Sequence, residues 1–181
     1  MDGTLIDDLR KVALTTEVGN IRLKNVTADE INLSSQIGDV SLDGIIDGNV
    51  VIETFGDGDV SLKGKTVYGS GLVISTDDGD INLWSECQTD ECVLTTRNGN
   101  ITAGELFGTS VSIIVSEAGS VKANVYGGAI ETTINQGNMY LYAKNILDDS
   151  SVTVVKGDVH LTAPKGCGFK LKVSATMVSS S

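Results

Sequence analysis

The sequence predicts an all-β fold: a right-handed parallel β-helix of about eight coils, each near 20 residues long. Three observations predict it. First, one glycine-led word recurs as GNIRL, GDVSL, GDVSL, GDINL, GNITA, GSVKA, GNMYL and GDVHL, at Gly19, Gly38, Gly58, Gly79, Gly99, Gly119, Gly137 and Gly157. The steps between these glycines are 38−19 = 19, then 20, 21, 20, 20, 18 and 20. Second, the residues around each glycine alternate apolar and polar with period two, the mark of a half-buried strand. Third, the segments between the words vary in length and composition, as connectors do.

Residues 1–11 are expected as an N-terminal cap, 12–175 as the solenoid and 176–181 as a disordered tail. Before each glycine, Leu14, Leu33, Ile52, Ile74, Leu94 and Ile114 are read as one inward column. Val12, Ile31, Val50, Leu72 and Cys92 form a second. Thr16, Ser35, Thr54, Thr76, Thr96 and Ser116 make a hydroxyl column beside the turn. The register blurs at SVSIIVSEAG, where both faces are apolar. Each turn then needs a residue that accepts positive φ at low cost, which glycine does. The next residue is always short and polar (Asn20, Asp39, Asp59, Asp80, Asn100, Ser120, Asn138, Asp158) and suits bonding to turn backbone.

Two positions after the glycine stand Ile21, Val40, Val60, Ile81, Ile101, Val121, Met139 and Val159; four after it stand Leu23, Leu42, Leu62, Leu83, Ala103, Ala123, Leu141 and Leu161. Between them, facing out, are Arg22, Ser41, Ser61, Asn82, Thr102, Lys122, Tyr140 and His160. Such short strands cannot bury an apolar face alone, but stacking each coil about 4.8 Å above the last does. Crossover connections favour the right hand. An antiparallel sandwich is the alternative, but sandwiches do not repeat one word in one register. The connectors (NVTADE, GIIDGN, GKTVYGSG, SECQTDE, GELFGTS, NVYGGA, AKNILDDS) should lie along one edge, and that edge or the outward face is where function would reside. At the far end, GFKLKVSATMVSSS reads as half of another coil, with Phe169, Leu171 and Val173 inward and Lys170 and Lys172 blunting the open edge.

The chain has 181 residues, 40% of them hydrophobic, enough for one core. Its net charge of −11 argues against nucleic acid and against an anionic membrane surface. No apolar run approaches the length of about 18 residues that a bilayer span requires. The acidic opening MDGTLIDDLRK has neither a signal-peptide nor a transit-peptide pattern, which leads us to expect an intracellular location, cytoplasmic by this reading; a mitochondrial one is implied only by the family resemblance given below. The odd count of cysteines (Cys87, Cys92, Cys167) suggests reduced thiols, although Cys87 and Cys92 could pair across a connector.

Few motifs suggest chemistry. MDGTLIDD imitates the D-x-D-G-T motif of haloacid-dehalogenase-type phosphatases, but Met1 stands before Asp2, the nucleophilic aspartate is missing and no β-α-β pattern follows. Asp39, Asp59 and Asp80 should stack in adjacent coils and repel by about 1 kcal/mol in water. Calcium could relieve that, yet the calcium-binding nonapeptide repeat needs a period of nine; bonds from turn amides serve equally, and no metal or cofactor is expected. Trp84, Tyr140, Tyr142 and His160 are the candidate binding surface, since outward aromatics on a β-helix can dock sugars or a peptide. Trp84 and Tyr142 stand about three coils apart, so they should form two spots. The basic residues Arg22, Lys24, Lys63 and Lys122 read as scattered, unlike the grouped carboxylates and cations of pectate-lyase-like enzymes.

The word s-x-x-G-[DN]-[IV]-x-[LA], repeated across residues 12–163, resembles the family of unknown function labelled as adhesins, with bacterial and animal members. The resemblance implies a right-handed β-helix and no enzymatic activity, and defines no site residues. The expected function is a non-enzymatic, adhesin-like binding or scaffold module that contacts a protein or glycan. A carbohydrate-active β-helix enzyme and a calcium-stabilised repeat are the alternatives.

Overall fold

A computed structural model describes residues 9–146, 149–166, 169–173 and 178–180. They form fourteen strands of one sheet and, among the described residues, no helix. The first five are β1 (Leu9–Val18), β2 (Ile21–Ile37), β3 (Val40–Thr54), β4 (Val60–Thr76) and β5 (Ile81–Asn98), stacked in chain order. After β5 the ladder forks. β6 (Ile101–Phe107), β8 (Val121–Tyr126), β10 (Met139–Lys144), β12 (Val159–Thr162) and β14 (Val178–Ser180) continue the post-glycine side. β7 (Ser110–Ala118), β9 (Ala129–Gln136), β11 (Ser150–Lys156) and β13 (Phe169–Val173) continue the pre-glycine side. Pairing is parallel throughout, as in a β-solenoid of about eight turns.

Like residues lie over one another. Val40 pairs with Val60 and Val60 with Ile81, and all three are fully buried. The column two positions after the glycine is buried from Ile21 to Val159, and the next column from Leu42 to Leu141. The connectors differ from the edge loops expected: up to β5 they are strand throughout, and with β6 and β8 they add a third inward column of Ile46, Val67, Cys87, Leu106 and Val125. The reason is their own alternation, for in SECQTDE the residues Ser85, Cys87 and Thr89 all turn inward. At the first rung, β2 is the one strand neighbour of β1 among the described residues, and Leu14 is 40% exposed.

Two assignments need correction. Leu94 pairs with Ile113, which is buried, and Ile114 is only half-buried; Thr96 pairs with Val115, and Ser116 is exposed. The register moves from Thr96↔Val115 to Asn98↔Ala118, so β7 holds one extra residue there, a β-bulge. Counting back from Gly119 runs through the bulge and lands one residue late.

The turn edge is built by close approach. A Cβ on Gly79 would stand 2.0 Å from the carbonyl oxygen of Gly58, and one on Gly119 would stand 1.8 Å from that of Gly99. Gly119 has φ +153, whereas Gly79 is not among the positive-φ glycines. What both need is the missing side chain, because each α-carbon rests on the glycine below. Beside them runs a side-chain ladder. Asn20 Oδ1 accepts from Asp39 N at 2.8 Å, Asp39 Oδ1 from Asp59 N at 3.1 Å and Asp59 Oδ1 from Asp80 N at 2.8 Å. It continues through Asn100, Ser120 and Asn138 to Asp158 N. Each polar residue thus caps the next coil rather than its own turn. Each such bond contributes about 1 kcal/mol net, enough to offset the repulsion between stacked carboxylates.

Of the expected cap at residues 1–11, Leu9, Arg10 and Lys11 are the start of β1; Met1, Asp2 and the rest of residues 1–8 lie outside the described residues. Of the tail at 176–181, residues 178–180 form β14 against β12, and the others lie outside. β13 pairs with β11, with Lys170 exposed; the side chains of Phe169, Leu171, Lys172 and Val173 lie outside the described set, as does Cys167. Cys87 and Cys92 are free thiols in the core. Burial pushes the Cys87 thiol up to about 12, with the Glu86 carboxylate adding to it, and burial pushes Cys92 up as well.

Candidate binding face

The strands that follow the glycines turn every second side chain outward, and parallel register sets these side chains in straight columns. One column runs Arg22, Ser41, Ser61, Asn82, Thr102, Lys122, Tyr140, His160. The face they share has two ends of opposite chemistry. At the front, Arg22, Lys24 and Lys63 gather with Asp39 and Asp43 around a depression of about 500 Å³ floored by Ser41 and Ser61. Lys24, Asp43 and Lys63 occupy successive rungs of one column. These cations, which read as scattered in the sequence, are brought together because their steps of 19 and 20 residues superpose them.

At the back the face is aromatic. Tyr140 and His160 stack with ring centroids 4.8 Å apart and planes 4° apart, the spacing of one rung. With Tyr142, Lys122, Asn124 and Thr162 they line a shallow depression of about 240 Å³. Tyr142 presents its ring edge-on to Tyr126 at 6.5 Å, and Tyr126 stacks on Phe107 at 4.7 Å. Burial first, and the Glu105 carboxylate second, push the Tyr126 phenol above its ordinary value. Trp84 stands apart on its own rung, 61% exposed, and lines neither depression.

Three of the four expected residues therefore belong to one aromatic surface, and Trp84 does not join it. Phe107 and Tyr126 were missed by the sequence reading. They lie eight and seven residues after Gly99 and Gly119, so a count from the glycine sets them out of register, although they pair directly. A signal was present: Tyr68, Phe107 and Tyr126 each immediately precede a glycine, and the column runs Tyr68, Gln88, Phe107, Tyr126.

Among the described residues, no group of three or more histidine, cysteine or acidic side chains is placed to hold a metal. Asp39, Asp59 and Asp80 each use Oδ1 to accept a backbone N–H from the next coil. No helix of the described chain is long and apolar enough to cross a membrane. The face can stack flat or edge-on groups against rings and offer amide, hydroxyl and ammonium partners beside them.

The family model described as Toastrack DUF4097 matches residues 7–104 and again 49–181. The chain belongs to this family, a repeat-built domain of unknown function, and that membership is compatible in general terms with a binding or scaffold module. The match carries neither the adhesive role nor the animal members that the resemblance implied. Comparison with curated proteins and with solved structures finds no match.

Proposed function

We propose that this domain works without catalysis, as an adhesin-like binding or scaffold module whose outward face meets a protein or glycan partner. The carrying observation is the parallel-stacked Tyr140–His160 pair, exposed beside Tyr142 over a shallow depression. Exposed rings give large contact area with little rotamer freedom to lose, which favours binding surfaces. The solenoid beneath holds them at fixed spacing, so little ordering cost is left to association.

The test joins capture with turnover. The domain is immobilised and exposed to protein and glycan fractions of its native source, beside a variant carrying Tyr140→Ser and Tyr142→Ser. Both replacements sit on the surface, so the melting temperature should hold. Capture by the parent and loss in the variant is the expected result. Release of new chain ends from any polysaccharide would replace this reading with a carbohydrate-active enzyme.

A further inference from the structure

We infer that the aromatic belt of the last four coils is a saccharide site, with Phe107 and Tyr126 as unassigned contact residues beside Tyr140, Tyr142 and His160. The inference rests on the outward face being the binding face, and it names the ligand class.

The rings are arranged in steps. Phe107 and Tyr126 stack at 4.7 Å with planes 13° apart, and Tyr140 and His160 at 4.8 Å with planes 4° apart. Tyr142 meets Tyr126 edge to ring and lines one depression with Tyr140 and His160. Each stack closes a depression. Phe107 borders one of about 420 Å³ with Gln88, Asp90 and Thr109. Tyr140 borders the one of about 240 Å³ with Lys122, Asn124 and Thr162. A pyranose ring has an apolar C–H face and a rim of hydroxyls. It needs a ring to lie on and short amide, hydroxyl or carboxylate groups at the edge, and each depression supplies both.

The same surface suits a peptide poorly. Two common ways in which peptides dock are by adding a strand to a free sheet edge and by setting aliphatic side chains in an apolar groove. At the belt no edge is free: β6 lies between β5 and β8, β8 between β6 and β10, and β10 between β8 and β12. The depressions are walled by rings and polar side chains, with Leu141 the one aliphatic residue among them. Lys122 sits directly under Tyr140 in register, so a carboxylated sugar should bind more tightly than a neutral one.

The experiment measures binding of the whole domain to short oligosaccharides of glucose, of N-acetylglucosamine and of galacturonate. It compares the parent with Tyr140→Ala, Phe107→Leu and Trp84→Ala. The expected result is binding of at least one probe, weakened about tenfold by Tyr140→Ala and measurably by Phe107→Leu, as loss of aromatic contact implies. Trp84→Ala should leave it within about twofold, since that ring lies outside the belt. Tyr140→Phe should retain most of the affinity, which separates loss of the ring from loss of the hydroxyl. A dissociation constant weaker than about 1 mM for every probe overturns the inference. So does sugar binding that Tyr140→Ala leaves unchanged. If no probe binds while the Tyr140→Ser, Tyr142→Ser variant still loses a captured protein, the saccharide inference fails and the binding-face reading stands. If the variant loses nothing, both fail.

Discussion

The front coils, β2 to β5, and the back coils, from β6 onward, share one turn edge and the inward columns that run from Ile21 to Val159 and from Leu42 to Leu141, but differ in their strand breaks, in the column beside the turn and on the outward face. In front, each coil is a single strand of 15 to 18 residues that bends through its corners. Behind, each coil breaks into two strands, as at Gly108 and at the pair Gly127 and Gly128. In front, the inward position beside the turn is a buried hydroxyl: Ser35, Thr54, Thr76 or Thr96. Thr54 Oγ1 donates to Gly58 O at 2.9 Å, and Thr76 Oγ1 and Thr96 Oγ1 both donate to Gly79 O. Behind, the same column continues as Val115, Ile134 and Val154. The outward face changes in the same sense, from charged to aromatic. The difference teaches which contacts define the fold. The glycine stack and the side-chain-to-amide ladder run unbroken through both halves. The core column and the outer face are free to change once that edge is in place.

The largest expected effect tests the shared edge. Gly119→Ala in the back half forces a Cβ to 1.8 Å from Gly99 O at φ +153, and Gly79→Ala in the front forces one to 2.0 Å from Gly58 O without positive φ. Both should lose about 3 kcal/mol or more by urea denaturation, since backbone must move to admit the methyl. Gly71→Ala, with nothing within 4 Å, should stay within about 0.5 kcal/mol. Loss at Gly119 with tolerance at Gly79 would mean that backbone conformation, not close approach, is the requirement, and the two halves would no longer share a cause.

A smaller effect tests the column that differs. Ile134→Thr should cost about 2–4 kcal/mol, because it exchanges a fully buried ethyl group for a smaller, polar hydroxyl in an apolar column. Thr54→Val should cost about 1–2 kcal/mol by stripping Gly58 O of its donor. Thr132, buried in the back half with an unpartnered hydroxyl, is the reverse case: Thr132→Val should stabilise by about 1 kcal/mol. Thermal melts of the three variants order them. Equal costs for Ile134→Thr and Thr54→Val would erase the distinction between the halves.

Much of this was legible in the sequence, because period two and a fixed word act locally and identically in every coil. Val40, Val60 and Ile81 could be stacked on paper for that reason. The errors arose where a coil gains or loses a residue. The bulge in β7 displaced Ile114 and Ser116, and the unequal connectors hid the pairing of Phe107 with Tyr126. A count from one anchor cannot see an insertion that the backbone absorbs as a bulge. Trp84 is a different case: it stands exposed and apart, as the expected second spot, and the ladder beside it shifts register between Leu83↔Ala103 and Glu86↔Glu105.

The smallest expected effect lies at the junction of the halves. Asp78, in the turn between β4 and β5, accepts from Asn98 Nδ2 at 2.7 Å and pairs with Arg97 Nη2 at 2.6 Å. Asn98 also donates to Glu117 on β7, so the network ties the last single-strand coil to the first divided one. The Asn98 bond, and after it the Arg97 guanidinium, hold the Asp78 carboxyl below its ordinary value of 3.8 against an opposing desolvation. A carboxyl with a lowered folded pKa adds stability above its unfolded pKa and loses it as the pH falls through the folded one. The contribution should therefore be whole at neutral pH and fade below about pH 4. Because Asp78 is solvent-exposed, the change should be small beside that of the other carboxylates. Asn98→Ala removes the first cause, so its melting temperature, followed from about pH 6 to pH 2, should sit below the parent at the upper end and converge on it at the lower. Parallel curves across the whole range would show that the junction is held by strand pairing alone, and that the side-chain network adds nothing to it.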